Sequence, residues 1–135
     1  MKYLIFSEIS SQIYGKHIIG LAENKNEVFS LLSDFYNYLK ISENNTFESS
    51  WLTYFNVFIY KITNEDYLTI EKIIDNHSDI INDMKWKYDK NIENFFNNFI
   101  FIPIEYPECI DDVFLSEDEI DKINKIIANG VNMFD

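Results

Sequence analysis

The chain has 135 residues, 11 basic and 23 acidic, for a formal charge of −12, with 47% hydrophobic and 17% aromatic residues. That length suits a single domain, 1–135, and the apolar content excludes a disordered acidic tail. Arginine is absent and the net charge repels phosphate backbones, which argues against direct nucleic-acid binding.

Abundant Ile, Asn, Tyr and Phe fit AT-rich codons, but that pressure also favours lysine, so the acid excess survives the correction. No signal-like apolar core follows Met1, because Glu8 and several serines interrupt it. No apolar run reaches the ~18–20 residues of a membrane span. Cys109 is the only cysteine, which leaves no internal disulfide and no cysteine cluster for zinc. A cytoplasmic protein is expected.

In chain order, Lys2–Ser10 and His17–Ala22 read as two aromatic and β-branched strands joined by a turn at Ser11–Lys16, hence a hairpin. Asn24, with Glu27 three residues on, starts a helix over about 25–40 that buries Val28, Leu31, Leu32, Phe35 and Leu39. Ile41–Ser50 is polar and reads as a loop. Trp51–Thr63 carries large apolar groups on both faces, as expected of a central strand covered on both sides. Asn64 is placed to cap the next helix, whose apolar spacing runs from Tyr67 to Phe99 with a break expected near Asn76–Ser78.

Ile100–Ile104 predicts a short strand that Pro103 confines to an edge or a bulge. Ser116–Glu119 is a capping-box pattern opening a helix with Ile120, Ile123 and Ile127 on its apolar face, and Gly130 follows as its C-cap. The order β-β-α-β-α(α)-(β)-α defines an α+β fold, a small mostly antiparallel sheet of hairpin plus central strand packed on helices.

Two acidic groups stand out. Glu71, Asp75, Asp79 and Asp83 recur every four residues, opposite the apolar stripe. Like charges at that spacing each cost a few tenths of a kcal/mol, so stability alone favours mixed signs. They form either a solvated helix face or a rail of carboxylates for a basic partner, and a helix break near Asn76–Ser78 weakens the rail. The second group is Glu105, Glu108, Asp111, Asp112, Glu117, Asp118, Glu119 and Asp121, its first four interleaved with Tyr106, Ile110, Val113 and Phe114. Those apolar groups either anchor a partner or tether the connection to the core. Glu117–Glu119 have a local explanation in the dipole of the helix they open.

Other chemistry is poorly represented. An EF-hand loop begun at Asp75 puts Ile80 at the glycine position and Trp86 at the bidentate glutamate, so no metal is expected. His77 reads as a satisfied, partly buried side chain. Cys109 lies beside Glu108, Asp111 and Asp112, whose charge suppresses a thiolate. No phosphate-cradling glycine motif exists, so neither a cofactor nor catalysis is expected.

These features predict a stoichiometric inhibitor that occludes a basic, nucleic-acid-handling protein. In size, charge and aromatic content over its whole length, the chain resembles the small acidic immunity proteins that neutralise bacterial nuclease toxins of contact-dependent or related competition systems. The resemblance implies a toxin domain as partner and the producer's cytoplasm as location. Two alternatives stay open: a phage anti-defence protein that mimics nucleic acid to block a host nuclease or surveillance complex, and a small-molecule binder or enzyme with a pocket between sheet and helices, using His17, a tyrosine or Cys109.

Overall fold

A computed structural model describes residues 1–9, 15–45, 55–88, 99–100, 102–105 and 113–134. The fold is α+β: a five-stranded antiparallel sheet and four helices among those residues. In chain order the elements are β1 (Lys2–Ile9), β2 (Gly15–Ala22), α1 (Lys25–Asn45), β3 (Phe55–Ile62), α2 (Asn64–Asn76), α3 (Ser78–Tyr88), β4 (Ile102–Glu105), α4 (Glu117–Asn129) and β5 (Val131–Asn132).

The strand order is β4-β2-β1-β3-β5. β1 pairs along its length with β2 and with β3, from Lys2 opposite Ile62 to Ile9 opposite Phe55. The expected hairpin is therefore present, and β1 holds the middle of the sheet. β3 is interior too, bounded on its far side by β5 at Tyr60 and Lys61. Trp51–Tyr54 of the predicted strand lie outside the described residues.

Period-two alternation sends successive β1 side chains to opposite layers. Tyr3 and Ile5 join Ile19, Val28, Leu31, Phe35 and Ile59 in a core beneath α1. Leu4 and Phe6 join Ile18, Ile62, Ile70, Ile73, Ile81 and Ile123 in a second core beneath α2, α3 and α4. The sheet thus has helices on both faces. α1 sits close over β2 at Gly20, where an added Cβ would overlap Leu31 Cδ1. Phe35 meets Phe99 edge to face at 5.4 Å between ring centroids, closing that layer.

Several local expectations shift. α1 runs on to Asn45, through residues whose polarity predicts a loop, because no proline or glycine interrupts Ile41–Asn45. The cap of α2 is Thr63, not Asn64: its Oγ1 accepts the Asp66 N–H at 3.1 Å. α4 opens with the full Ser116–Glu119 capping box. Gly130 ends α4 with extended backbone (φ −70°), which leads straight into β5 rather than through a left-handed turn. β4 is an edge strand, where the missing N–H of Pro103 costs no internal ladder bond.

Candidate functional site

α2 and α3 are built to hold carboxylates outward. Burying Tyr67, Ile70 and Ile73 fixes the rotation of α2 and leaves Glu71 and Asp75 in solvent. Burying Ile81 does the same for α3 and exposes Asp79 and Asp83. The rail is two pairs, not one row, because the helix breaks at His77 (φ −118°, ψ 20°). The His77 N–H still reaches the Ile74 carbonyl at 3.1 Å, and the His77 carbonyl accepts from Ile81 N–H at 3.0 Å.

The side chain at that break ties in another element. His77 Nε2 lies 3.0 Å from Glu119 Oε1 and 2.9 Å from Oε2, with the Phe114 ring 5.5 Å away. A carboxylate only accepts, so Nε2 carries the hydrogen. Glu119 Oε1 also takes the Ser116 N–H at 2.9 Å, while Ser116 Oγ accepts the Glu119 N–H at 3.2 Å. One carboxylate thus closes the capping box of α4 and grips the α2–α3 corner. Burial alone would raise the Glu119 pKa, but hydrogen bonds from the Ser116 backbone, from His77 and from the Ser116 hydroxyl hold it below the usual carboxylate value.

Glu117, Asp118 and Asp121 of α4 are exposed, as are Asp75 and Asp79, which flank His77 in sequence. Lys122 offsets part of that charge by pairing with Asp118 at 3.2 Å. Replacing His77 with Ala should cost about 1 kcal/mol and loosen the first turn of α4. Amide exchange at Glu117–Ile120 should quicken as a result, and unchanged exchange there would show that the capping box holds the turn unaided.

The other end of α2 gathers further acids. Lys2 Nζ sits 5.1 Å over the Tyr67 ring and 3.5 Å from Glu23. The Tyr67 hydroxyl is pushed up by burial, then by Glu71, Glu23 and Glu27. Glu27 is fixed at the start of α1, where its N–H donates to Asn24 Oδ1 at 2.9 Å and its Oε2 accepts the Glu23 N–H at 2.7 Å. Carboxylates therefore gather about Tyr67 between the β2–α1 turn and α2, and Glu71 and Asp75 continue them as a band, broken by exposed Lys72, towards the corner where His77 meets Glu119.

Of the predicted site residues, Glu71, Asp75, Asp79 and Asp83 lie in this band. Glu105 does not: it is on the edge strand β4, paired with Lys16 at 3.4 Å. Glu108, Asp111 and Asp112, and Cys109 with them, lie outside the described residues. Glu23 and Glu27 stood outside both acidic groups read from the sequence, as did the link between His77 and Glu119. No spacing in the sequence makes that link, since His77 and Glu119 are 42 residues apart. His17 is fully buried between Ser7 of β1 and Pro103 of β4, out of reach of a solvent-borne ligand. Among the described residues, no three His, Cys, Asp or Glu side chains converge as metal ligands.

The site is thus an exposed anionic surface on an α+β scaffold. No family model, curated protein or solved structure matches the chain. No helix among the described residues is long and apolar enough to cross a membrane.

Proposed function

We propose that this protein is a stoichiometric acidic inhibitor, immunity- or antitoxin-like, that docks onto a basic, nucleic-acid-handling protein in the cytoplasm and occludes its functional surface. The observation that carries this reading is the band from Glu23 and Glu27 through Glu71 and Asp75 to the corner where His77 meets Glu119. Its carboxylates take the place of phosphates before the partner's lysines and arginines. Long-range attraction speeds the encounter, and steric cover does the inhibiting. Binding and occlusion alone account for the action, without catalysis and without a cofactor.

Capture of the partner from the source cells, identification of the captured protein, and measurement of its binding at two salt concentrations test the proposal. Between 50 and 300 mM salt the association rate should fall about tenfold or more while dissociation changes little. A captured partner bound equally well at both concentrations overturns it. A toxin domain or a host nuclease as the captured protein would assign the inhibitor to bacterial competition or to phage anti-defence, respectively.

A further inference from the structure

α4 passes into β5 through Asn129 and Gly130, the one Asn-Gly pair in the chain. Asn129 is exposed. Before a glycine, the next backbone nitrogen reaches an asparagine side-chain amide most easily, because no Cβ screens it. Another residue does not fit at this position: a Cβ on Gly130 would sit 3.0 Å from Tyr60 Cβ and 3.3 Å from Tyr60 Cγ, closer than ordinary contact. Packing the end of α4 against β3 thus demands the very residue that leaves Asn129 reactive. Two nearby asparagines lack this combination. Asn132 has its Oδ1 held by the Phe134 N–H at 2.9 Å, and the nitrogen after it, that of Met133, donates to the Ile59 carbonyl at 2.8 Å. Asn124 lies inside α4 and is followed by Lys125.

We infer that Asn129 is a site of spontaneous modification, where the Gly130 nitrogen closes on the side-chain amide and the resulting isoaspartate releases β5 from β3. The step needs only water. The Gly130 nitrogen loses its proton and bonds to Asn129 Cγ, the bond from Cγ to the amide nitrogen breaks, and ammonia leaves a cyclic imide behind. Water then opens the ring at either carbonyl to give aspartate or isoaspartate, with nothing oxidised or reduced. The fold sets the pace: the Gly130 N–H donates to the Ile127 carbonyl at 3.1 Å, so the last turn of α4 has to open first. A two-residue strand with Val131 51% exposed, followed by Phe134 at 75%, belongs to the segments that open locally at small free energy. In the isoaspartate the chain runs through Cβ and gains one backbone atom between α4 and β5. Val131 and Asn132 then lose their register opposite Lys61 and Tyr60, and among the described strands β3 becomes the rim of the sheet. The inference stands whether or not the carboxylates bind a basic partner.

Incubation of the full chain at pH 8 and 37 °C, with peptide mapping over days, tests this. The peptide cut after Lys125 should gain the mass difference between an amide and an acid, located at Asn129 by fragmentation, while Asn124 and Asn132 keep their amides. In urea the reaction should run about tenfold faster, because the last turn of α4 no longer has to open. Amide exchange at Met133, whose N–H is bonded to Ile59, should quicken about tenfold in the modified fraction, resolved from the parent by its added charge. Asn129→Asp adds that charge without lengthening the backbone and should leave Met133 exchange as in the parent, and Asn129→Gln should stay unmodified. An Asn129 amide that outlasts those of Asn124 or Asn132 in the folded chain overturns the inference, as does equal Met133 exchange in the modified fraction and in Asn129→Asp.

Discussion

Stability should fall steeply as the pH drops below about 6.5, and His17 should account for most of the fall. Its imidazole is fully buried, with the Gly15 backbone so close that a Cβ there would come within 2.7 Å of His17 Cε1. Burial disfavours the charged ring and lowers its pKa from 6.5 to about 3. Above pH 6.5 neither the folded nor the unfolded chain protonates it, so it contributes no pH dependence there. Between 6.5 and about 3 the unfolded chain binds a proton that the folded chain refuses, and about 1.4 kcal/mol is lost per pH unit. Across that window the loss is comparable to the whole stability of a marginal domain.

Glu119 acts in the same direction and lower on the pH scale. Its folded pKa is depressed, so its contribution is present above the ordinary carboxylate range and disappears as the pH falls through the depressed value. Urea unfolding at pH 7, 5.5 and 4.5 checks the assignment. His17→Leu should flatten the slope below pH 6.5 whatever it does to stability at pH 7. Equal slopes in the variant and the parent would place the acid sensitivity elsewhere.

The second large effect concerns binding. Glu71→Gln, Asp75→Asn, Asp79→Asn and Asp83→Asn together keep shape and remove four charges from the band. Affinity for the basic partner should fall about 10- to 100-fold, chiefly through slower association. The same substitutions relieve like-charge repulsion within α2, so thermal stability should rise by a few tenths of a kcal/mol there, while in α3 the loss of Asp79 from the first turn offsets the gain. A gain in stability with a loss of affinity marks side chains kept for a partner rather than for the fold. Glu105→Gln serves as the control, since that carboxylate is on β4, already paired with Lys16, and should matter little. Surface plasmon resonance against the captured partner reads both variants, and equal affinities of the quadruple variant and the parent would remove α2 and α3 from the interface.

Local chemistry was legible wherever one short stretch decides the outcome. The hairpin, the break beside Ser78, the edge position of Pro103 and the Ser116 capping box all follow from residues close in sequence. Thr63 displaced Asn64 as the cap of α2, because both residue types can serve there and it is the Thr63 hydroxyl that takes the Asp66 N–H. β5 spans two residues, too few for alternation to register. The candidate site was half legible. The rail on α2 and α3 is a periodicity, whereas its junction with Glu119 and its approach to Glu23 and Glu27 depend on which elements the sheet brings together. Glu119 shows the difference well: in sequence it completes a cap, and in space it also holds a second helix pair in place.

Among the described residues both rims of the sheet are blunted, one by a proline in a four-residue strand and the other by a strand of two residues. Such rims make poor templates for a stray chain to zip onto. A chain this rich in aromatic and β-branched residues has the composition that favours fibril growth wherever a long, flat edge is open. Rims of this kind leave cross-β growth few unpaired backbone groups to extend.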